Sequence, residues 1–485
     1  MNTSIIRFIL GQILRLQSLF LLLPCITAII YKENTLVPYI IVAFSCFILG
    51  TIMTLKKPTD HVFYLKEGCV ATALSWIVLS ISGAFPFVLT KEIPHFVDAL
   101  FETVSGFTTT GSSILSDVEA LSYSSLLWRS FSHWIGGMGV LVFLLAIIPM
   151  SGGSNINLMK AESPGPSVGK LVPKIRTTAR ILYFIYIGMS IIMFVLLLVG
   201  KMPLFDALAT TFGTAGTGGF GIKNDSFASY SPYIQWVTAI FMMLFGVNFN
   251  AYYFILFLDI KKVLKIEEVK WYFSIILLSV IIIFSDLIQF YSTSGSALRD
   301  AFFQVSSIIT TTGFATADFN LWSATSKSTL VLLMFVGACA GSTGGGLKVS
   351  RLIILVKTIF KELTSYTHPK SIVKIKMDDK PIEHEVVRSA NVYFITYMII
   401  FVVSVFCLTF ENKDLVTIFT AVSATLNNIG PGLEMVGPTS NFGHFNDFSK
   451  LVIIFDMLAG RLELFPLLML FHPELWKDTF KRKLK

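Results

Sequence analysis

The sequence has few charged residues for its length. Asp, Glu, Lys and Arg fill 14% of the 485 positions, whereas about 25% is usual in soluble domains. Hydrophobic residues fill 54%, and the mean hydropathy is +0.72. A water-soluble fold of this size could not bury so much apolar surface, which excludes a soluble enzyme and predicts a chain that crosses a lipid bilayer. The same apolar content excludes disorder and fibrous repeats.

Cysteine is scarce as well, and the spacing of the cysteines does not match that of a metal site. The five cysteines include no CxxC pair, so we predict free thiols and neither a zinc site nor a disulfide framework. The net charge of +8 is typical of basic loops beside anionic lipid and does not require a nucleic-acid partner.

Long apolar runs recur along the chain, each near the roughly 20 residues that span a bilayer. They predict about ten transmembrane helices, at 8–30, 36–55, 69–90, 126–149, 181–200, 233–258, 271–291, 328–359, 390–410 and 449–471. A barrel would show alternation instead, so the predicted fold class is an all-α integral membrane protein. With ten crossings, 28 Lys and Arg residues lie on one side and eight on the other. This bias predicts that both termini are cytoplasmic.

Four segments between these spans are too short or too polar to cross: 97–113, 205–220, 299–315 and 414–432. Each carries an acidic residue followed by a glycine loop, which reads SGFTTTG at 105–111, AGTGGF at 215–220, SIITTTGF at 307–314 and NNIGPG at 427–432. The repetition predicts four units of span, re-entrant half-helix and span around one pseudo-fourfold axis, preceded by two additional helices. The acids, expected to begin the half-helices rather than to bind ions, are Asp98, Asp206, Asp300 and Asp414.

The predicted organisation follows from these units. Its segments are two N-terminal helices (1–66), unit 1 (67–150), unit 2 (170–262), unit 3 (268–360), a basic cytoplasmic loop (361–388), unit 4 (389–475) and a cytoplasmic tail (476–485).

The glycine loops have the chemistry of a cation filter. Half-helices that end at the axis present carbonyl oxygens there, and rings of such oxygens can replace the water shell of a cation. The predicted ion-binding residues are Thr109, Thr110, Gly111, Thr217, Gly218, Thr311, Thr312, Gly313, Asn428, Ile429 and Gly430.

At this point the chain resembles the Trk/Ktr/HKT superfamily of potassium transport proteins, and within it the Trk-type membrane subunits. The resemblance extends to the stretches 133–140, 340–348 and 460–465, and the two additional helices fit the Trk type. It implies potassium uptake and no enzymatic activity, with the family's four filter glycines at Gly111, Gly218, Gly313 and Gly430. The fourth loop departs from the Thr-rich pattern at 427–429.

Glycines interrupt the eighth span within 337–346. One interpretation is a helix-packing patch of small residues. The other is a flexible loop that gates the pore, which is what the resemblance implies. The predicted gate residues are Gly337, Gly341, Gly344, Gly345, Gly346 and Arg461.

Two arginines lie within predicted spans. Arg461 is interpreted either as a positive charge in the pore, as the resemblance implies, or as a structural partner of Glu463 or Asp456. Arg129, close to the end of its span, is expected to snorkel toward the interface without a functional role.

An alternative function is a proton- or sodium-coupled transporter of a small solute that works by alternating access. It would show paired broken spans in inverted halves, whereas the sequence shows glycine breaking only one span. The resemblance further implies a homodimer in the bacterial inner membrane that docks on a cytoplasmic nucleotide-binding regulatory ring. No nucleotide site is visible in the sequence, and we expect potassium as substrate and no bound cofactor.

Overall fold

The computed structural model describes residues 1–58, 64–139, 175–371 and 373–475. Residues 140–149 of the predicted span 126–149, the link 151–169 to unit 2 and the whole tail 476–485 lie outside the described residues. The described chain is predominantly helical. Its strands, Lys376–Met377 and Lys380–Pro381, pair antiparallel as a short hairpin.

The same three-helix pattern occurs four times in chain order after an N-terminal helical hairpin. The hairpin comprises Thr3–Phe20, Leu22–Tyr31 and Leu36–Thr54. The long first helices are Leu65–Thr90, Ile175–Val199, Glu267–Leu287 and His384–Leu408. Half-helices 1 to 4 are Phe96–Phe107, Leu204–Ala215, Ser294–Ile309 and Leu415–Leu426. The second helices are Tyr123–Met138, Pro232–Phe245, Ala324–Val336 and Asp447–Arg461. Shorter helices and continuations are Phe249–Leu256, Ile260–Val263, Val349–Thr367 and Phe465–Leu468.

Six described helices are long and apolar enough to span a bilayer, or seven if one bent pair is counted as a span. About ten were expected from the apolar runs. The difference lies in the second helices, because those of units 3 and 4 end at loops inside the apolar run and that of unit 1 is described only to 138.

The prediction that glycine breaks only one span is wrong. The run 233–258 bends by 95° between Pro232–Phe245 and Phe249–Leu256. Gly246 ends the first of these helices, and Asn248 caps the second by accepting the N–H of Asn250 at 3.0 Å. The run 449–471 is also broken, because Glu463 and Leu464 have φ values of 58° and 63°.

Each second helix starts at a polar side chain that accepts a backbone N–H three residues later. These N-caps are Ser122, Ser231, Ser323 and Asn446, with bonds of 3.3, 3.5, 3.3 and 2.9 Å. Such a cap satisfies one of the four orphan N–H groups of a helix start. The caps also give the second helices a common register.

The acids expected to begin the half-helices do so in only one case in full. Asp414 is the N-cap of half-helix 4, and the hydrogen bond from Thr417 lowers the pKa of its carboxyl below the ordinary value. Asp98 and Asp206 lie in the first turns of half-helices 1 and 2. Asp300 does not begin half-helix 3, because that helix already starts at Ser294.

Small residues bring the N-terminal hairpin together. A Cβ on Gly11 would lie 2.9 Å from the carbonyl oxygen of Gly50, and one on Gly50 would lie 2.6 Å from that of Gly11. Glycine therefore allows close backbone contact between these helices, as is common where lipid removes the hydrophobic drive for association.

Candidate functional site

All four half-helices end in the same backbone turn although their sequences differ. The first loop residue has a left-handed conformation in every case: Thr109, Thr217, Thr311 and Asn428, with φ between 54° and 60°. The next residue donates its N–H to the carbonyl five positions earlier: Thr110 to Ser105, Gly218 to Gly213, Thr312 to Ser307 and Ile429 to Ala424, at 2.8 to 2.9 Å. This is the bonding of a Schellman-type cap, which satisfies helix carbonyls at the end of a helix.

The shared turn corrects the assignment of the second filter glycine. In the other three loops, the glycine two positions after the left-handed residue also has positive φ, at 80°, 89° and 104° for Gly111, Gly313 and Gly430. In loop 2 that position is Gly219, with φ of 81°, and not Gly218. Gly219 also lies 13 residues after Asp206, the same separation as between Asp98 and Gly111. Gly218 is instead equivalent to Thr110, Thr312 and Ile429.

These glycines close the four loops into a ring. Each lies against a carbonyl oxygen of a neighbouring loop, so closely that an added Cβ would overlap or crowd it. The pairs are Gly111 with Gly218, Gly219 with Thr312, Gly313 with Ile429, and Gly430 with Thr110. Ser112 adds a hydrogen bond to the carbonyl of Gly430 at 3.0 Å. The contacts therefore run from loop 1 through loops 2 and 3 to loop 4 and back to loop 1.

A cavity opens on the side where the chain leaves the loops. It is lined by Gly111, Gly219, Gly313 and Gly430 together with the segments that follow them, and by Arg129. All four equivalent glycines thus face one space.

The threonine hydroxyls brace the loops. Thr110 and Thr312 each share a hydrogen bond of 2.8 Å with the threonine two positions earlier. Thr217 donates to the carbonyl of Gly216 at 2.6 Å. Asn428 takes the place of a threonine in loop 4, and its amide donates to Thr110 Oγ1 and to the carbonyl of Met457, both at 2.9 Å.

Arg129 does not snorkel. Its side chain is buried and lies 2.8 Å from the buried carboxylate of Glu102 in half-helix 1. The guanidinium also lies 4.1 Å from the centre of the Phe220 ring and donates to the carbonyl of Gly221 at 3.3 Å. Because Glu102 accepts hydrogen bonds from Ser113 as well, the pair joins the segments that follow loops 1 and 2.

His133 is a second bridge between loops 1 and 2, and the sequence analysis, which named the stretch 133–140, predicted no role for its side chain. It is fully buried. Its Nε2 accepts the N–H of Phe220 at 3.2 Å, so the proton is on Nδ1, which lies 2.7 Å from the carbonyl oxygen of Gly106. The ring is therefore neutral with a fixed tautomer.

The predicted gate segment is a loop rather than a helix, and it lies against the ends of half-helices 3 and 4. Gly337, Gly341 and Gly346 have positive φ. The N–H of Gly345 bonds to Thr311 Oγ1 at 2.6 Å. A Cβ on Gly344 would lie 2.8 Å from the carbonyl oxygen of Thr310. The small residues thus permit close packing, as one interpretation expected, but of this loop on the ends of the half-helices and not of helix on helix.

Arg461 lies between the predicted gate segment and the first glycine loop. Its guanidinium donates to the carbonyls of Thr343 and Gly137 at 3.0 and 2.8 Å, and to that of Gly136. It lies 3.5 Å from Thr109 Oγ1. The two acids expected as its structural partners bind elsewhere: Glu463 pairs with Arg351, and Asp456 accepts from Ser404 at 2.6 Å.

The common register of the second helices explains why there is room for this side chain. Arg461 follows its N-cap by 15 residues, and the same position in units 1 to 3 is Gly137, Gly246 and Ala338. Three units contribute almost no side chain at this level, and the fourth contributes a long cation.

Comparison with known proteins identifies the family. The model of the TrkH family, described as cation transport protein, matches residues 39–483. The Trk system potassium uptake protein TrkH of Salmonella typhimurium is 34% identical over 486 residues, covering 99% of this chain and 100% of that protein. The Trk system potassium uptake protein TrkG of Escherichia coli is 34% identical over 490 residues, with the same coverage.

A solved structure agrees with these sequence matches. The crystal structure of the potassium transporter TrkH from Vibrio parahaemolyticus matches with a TM-score of 0.88 at 32% identity, covering 98% of this chain and 100% of that chain. The predicted resemblance and membrane fold class are confirmed, and the relatives are transporters rather than enzymes. The chain belongs to the TrkH family of cation transport proteins.

Proposed function

We propose that this chain takes up potassium through a pore whose selectivity filter is the ring of four glycine loops. The observation that carries the proposal is the closed cycle of contacts in which each loop glycine touches a carbonyl of a neighbouring loop. Carbonyls of Thr110, Gly218, Thr312 and Ile429 belong to this ring, and the negative ends of the half-helix dipoles meet there. Such a site favours cations and repels anions. The name of the relatives, potassium uptake protein, supports potassium as the substrate.

The loop 337–348 and Arg461 form the gate in this proposal. They occupy the layer directly beneath the filter loops, where Gly345 bonds to Thr311 and Arg461 approaches Thr109. A cation that leaves the filter would meet the guanidinium charge and a backbone obstruction together. Displacement of the loop would remove the obstruction.

The positive-inside bias supports an orientation with both termini in the cytoplasm of a bacterial inner membrane. The resemblance supports a homodimer that docks on a cytoplasmic nucleotide-binding ring through the basic segment 361–388. Within that segment the structure contains the end of helix Val349–Thr367, the short hairpin and the start of His384–Leu408. Nucleotide control would come from the partner.

Alternating access is a second candidate because two additional spans are broken, at 246–248 and 462–464. In the pore mechanism these breaks make room beside the gate loop. In alternating access they would be moving parts of a coupled cycle. Currents that reverse at the potassium equilibrium potential, whatever the proton and sodium gradients, would favour the pore.

The filter assignment can be tested with Gly313→Ser. A side chain there would overlap the Ile429 carbonyl and force the backbone from its φ of 89°. We expect a reversal potential in potassium/sodium gradients that shifts toward the sodium value. Gly295→Ser is the matched control, because a Cβ on Gly295 in the same half-helix meets no atom within 4 Å. An unchanged reversal potential in folded Gly313→Ser protein would contradict the filter.

A further inference from the structure

Glu268 is a buried acid that binds the gate loop directly. It lies in the first turn of helix Glu267–Leu287 and is 2% exposed. Its Oε1 accepts the N–H of Ala340 at 2.6 Å and the N–H of Ser350 at 3.1 Å. Ala340 lies within the glycine-rich stretch 337–346 and Ser350 in the first turn of the helix that follows it, so one carboxylate binds the loop and the start of the next helix.

The same carboxylate also binds the bend of the broken span 232–256. Its Oε2 accepts the side-chain amide of Asn248 at 3.2 Å. The bend itself bonds to the loop: the N–H of Cys339 donates to Gly246 O and the N–H of Phe249 donates to Gly341 O, both at 3.1 Å. Glu268 therefore lies where the gate loop and the bend meet.

The hydrogen bonds from Ala340 and Ser350 to Glu268 would be lost together if the loop moved away from the filter. Ala340 and Ser350 would then need other acceptors for buried N–H groups, because water has little access at this depth. Hydrogen bonds to a charged carboxylate are stronger than bonds between neutral groups. The blocking position of the loop thus gains stability from Glu268 that a displaced loop would not have.

We propose that Glu268 is a positioning residue that holds the gate loop in its blocking position against the filter. The inference rests on the proposed function of that loop as a gate and adds the side chain that stabilises the closed state. Glu268 touches no filter residue in the bonds described above, so it acts on the rate of permeation and not on ion selectivity.

The test is potassium uptake and reversal potential of Glu268→Ala in proteoliposomes. Removing the carboxylate leaves the N–H groups of Ala340 and Ser350 unpaired in the closed state and favours loop displacement. We expect uptake to rise about tenfold, the effect of losing one strong hydrogen bond from one state of a two-state equilibrium. The reversal potential should stay at the wild-type value. Glu268→Gln keeps an acceptor oxygen for the two N–H groups and should restore uptake toward the wild-type rate.

Glu67→Ala is the matched control. Glu67 is also 2% exposed and lies in the first turn of a long helix, where it accepts the N–H groups of Asn2 and Tyr64 at 3.2 Å. The Glu67→Ala variant should lower the melting temperature as Glu268→Ala does, without raising potassium uptake.

A variant with part of 337–346 deleted separates failure of this inference from failure of the gate. If that deletion raises uptake and folded Glu268→Ala does not, the role of Glu268 is overturned while the gate stands. If neither raises uptake, the gate itself is overturned.

Discussion

At the scale of single residues, Arg461 is energetically costly to insert into a membrane and lies beside the glycine loops. An arginine at the centre of a span costs about 2.5 to 3.5 kcal/mol on insertion scales. Here its guanidinium is compensated by carbonyls of Gly137 and Thr343. In the proposed pore this guanidinium lies 3.5 Å from Thr109 Oγ1, so its positive charge acts on a cation that passes the glycine loops.

Arg461→Ala should therefore speed potassium flux. A unit charge about 4 Å away contributes about 4 kcal/mol at an effective dielectric constant near 20, so we expect a rise of at least about tenfold. Arg461→Lys keeps the charge and should stay near the wild-type flux. The measurement is uptake rate together with melting temperature. A large loss of stability with no gain in flux would contradict a role in the permeation barrier.

The Glu102–Arg129 pair makes a prediction about stability. Removing one partner of a buried ion pair typically costs about 3 to 5 kcal/mol, because the other charge is left buried without compensation. The equivalent positions of unit 3, counted from Thr311 and from the cap Ser323, are Gln304 and Leu330. Both are fully buried.

We thus expect Arg129→Leu alone to be strongly destabilising and the double variant Glu102→Gln with Arg129→Leu to be less so. The double variant copies the neutral pair that unit 3 already uses. Thermal unfolding in detergent measures both. If the double variant is no more stable than the single one, the unpaired charge is not the cause of the loss.

The sequence located the four glycine loops, but it did not show which residues contact each other across them. The assignments of Gly218 and Arg129 depended on such contacts and were wrong. Gly218 and Gly219 are adjacent, and the left-handed turn at Thr217 identifies Gly219 as the equivalent of the other three loop glycines. Arg129 has an acid for a partner 27 positions earlier on another helix. Neither contact can be predicted from the residues that are adjacent in the sequence.

At the scale of helices, the apolar runs predicted the first helices well because a bilayer needs uninterrupted apolar length. The bends at 246–248 and 462–464 were missed because each is marked by only a few isolated polar residues, such as Asn248 and Glu463, within a long apolar run. The break within 337–346 was predicted because glycines cost about 1 kcal/mol each in a helix. A helix break that depends on tertiary hydrogen bonds has no comparable glycine-rich segment in the sequence.

The gate loop as an element predicts a gain of flux on shortening. Deleting Gly344 to Gly346 removes the N–H of Gly345 that bonds to Thr311 and the carbonyl of Gly344 that accepts from Lys348. We expect faster potassium uptake at an unchanged reversal potential, since the filter loops keep their own caps. Unaltered rates in folded protein would favour a purely structural packing role.

At the scale of the whole molecule, four unlike units in one chain permit asymmetry around the ring. A tetramer of identical subunits would place four arginines at the level of Arg461, whereas here three units have Gly137, Gly246 and Ala338 there. The buried ion pair is in unit 1 and the gate loop follows the second helix of unit 3. The ring of loops needs similarity of backbone only, and the side chains around it are free to differ.

This asymmetry also includes a connection between the proposed gate loop and the hairpin Lys376–Pro381 through the helix Glu267–Leu287. Glu267, next to Glu268, receives Lys357 Nζ at 2.6 Å, and its N–H donates to Asp378 of the hairpin at 2.7 Å. Lys357 donates also to the carbonyl of Lys376 at 2.7 Å. The hairpin and the gate loop therefore bind to consecutive residues of one helical turn.

If the hairpin steadies that turn, Lys357→Ala should raise potassium uptake, though less than Glu268→Ala, because it leaves the bonds to Ala340 and Ser350 in place. The double variant should show little increase beyond Glu268→Ala alone, since changes that act through one shared element are not additive. Lys361→Ala is a control on the same helix, four residues further on. Uptake measured in a double-mutant cycle decides the matter: fully additive effects would mean that the hairpin and the gate loop are independent.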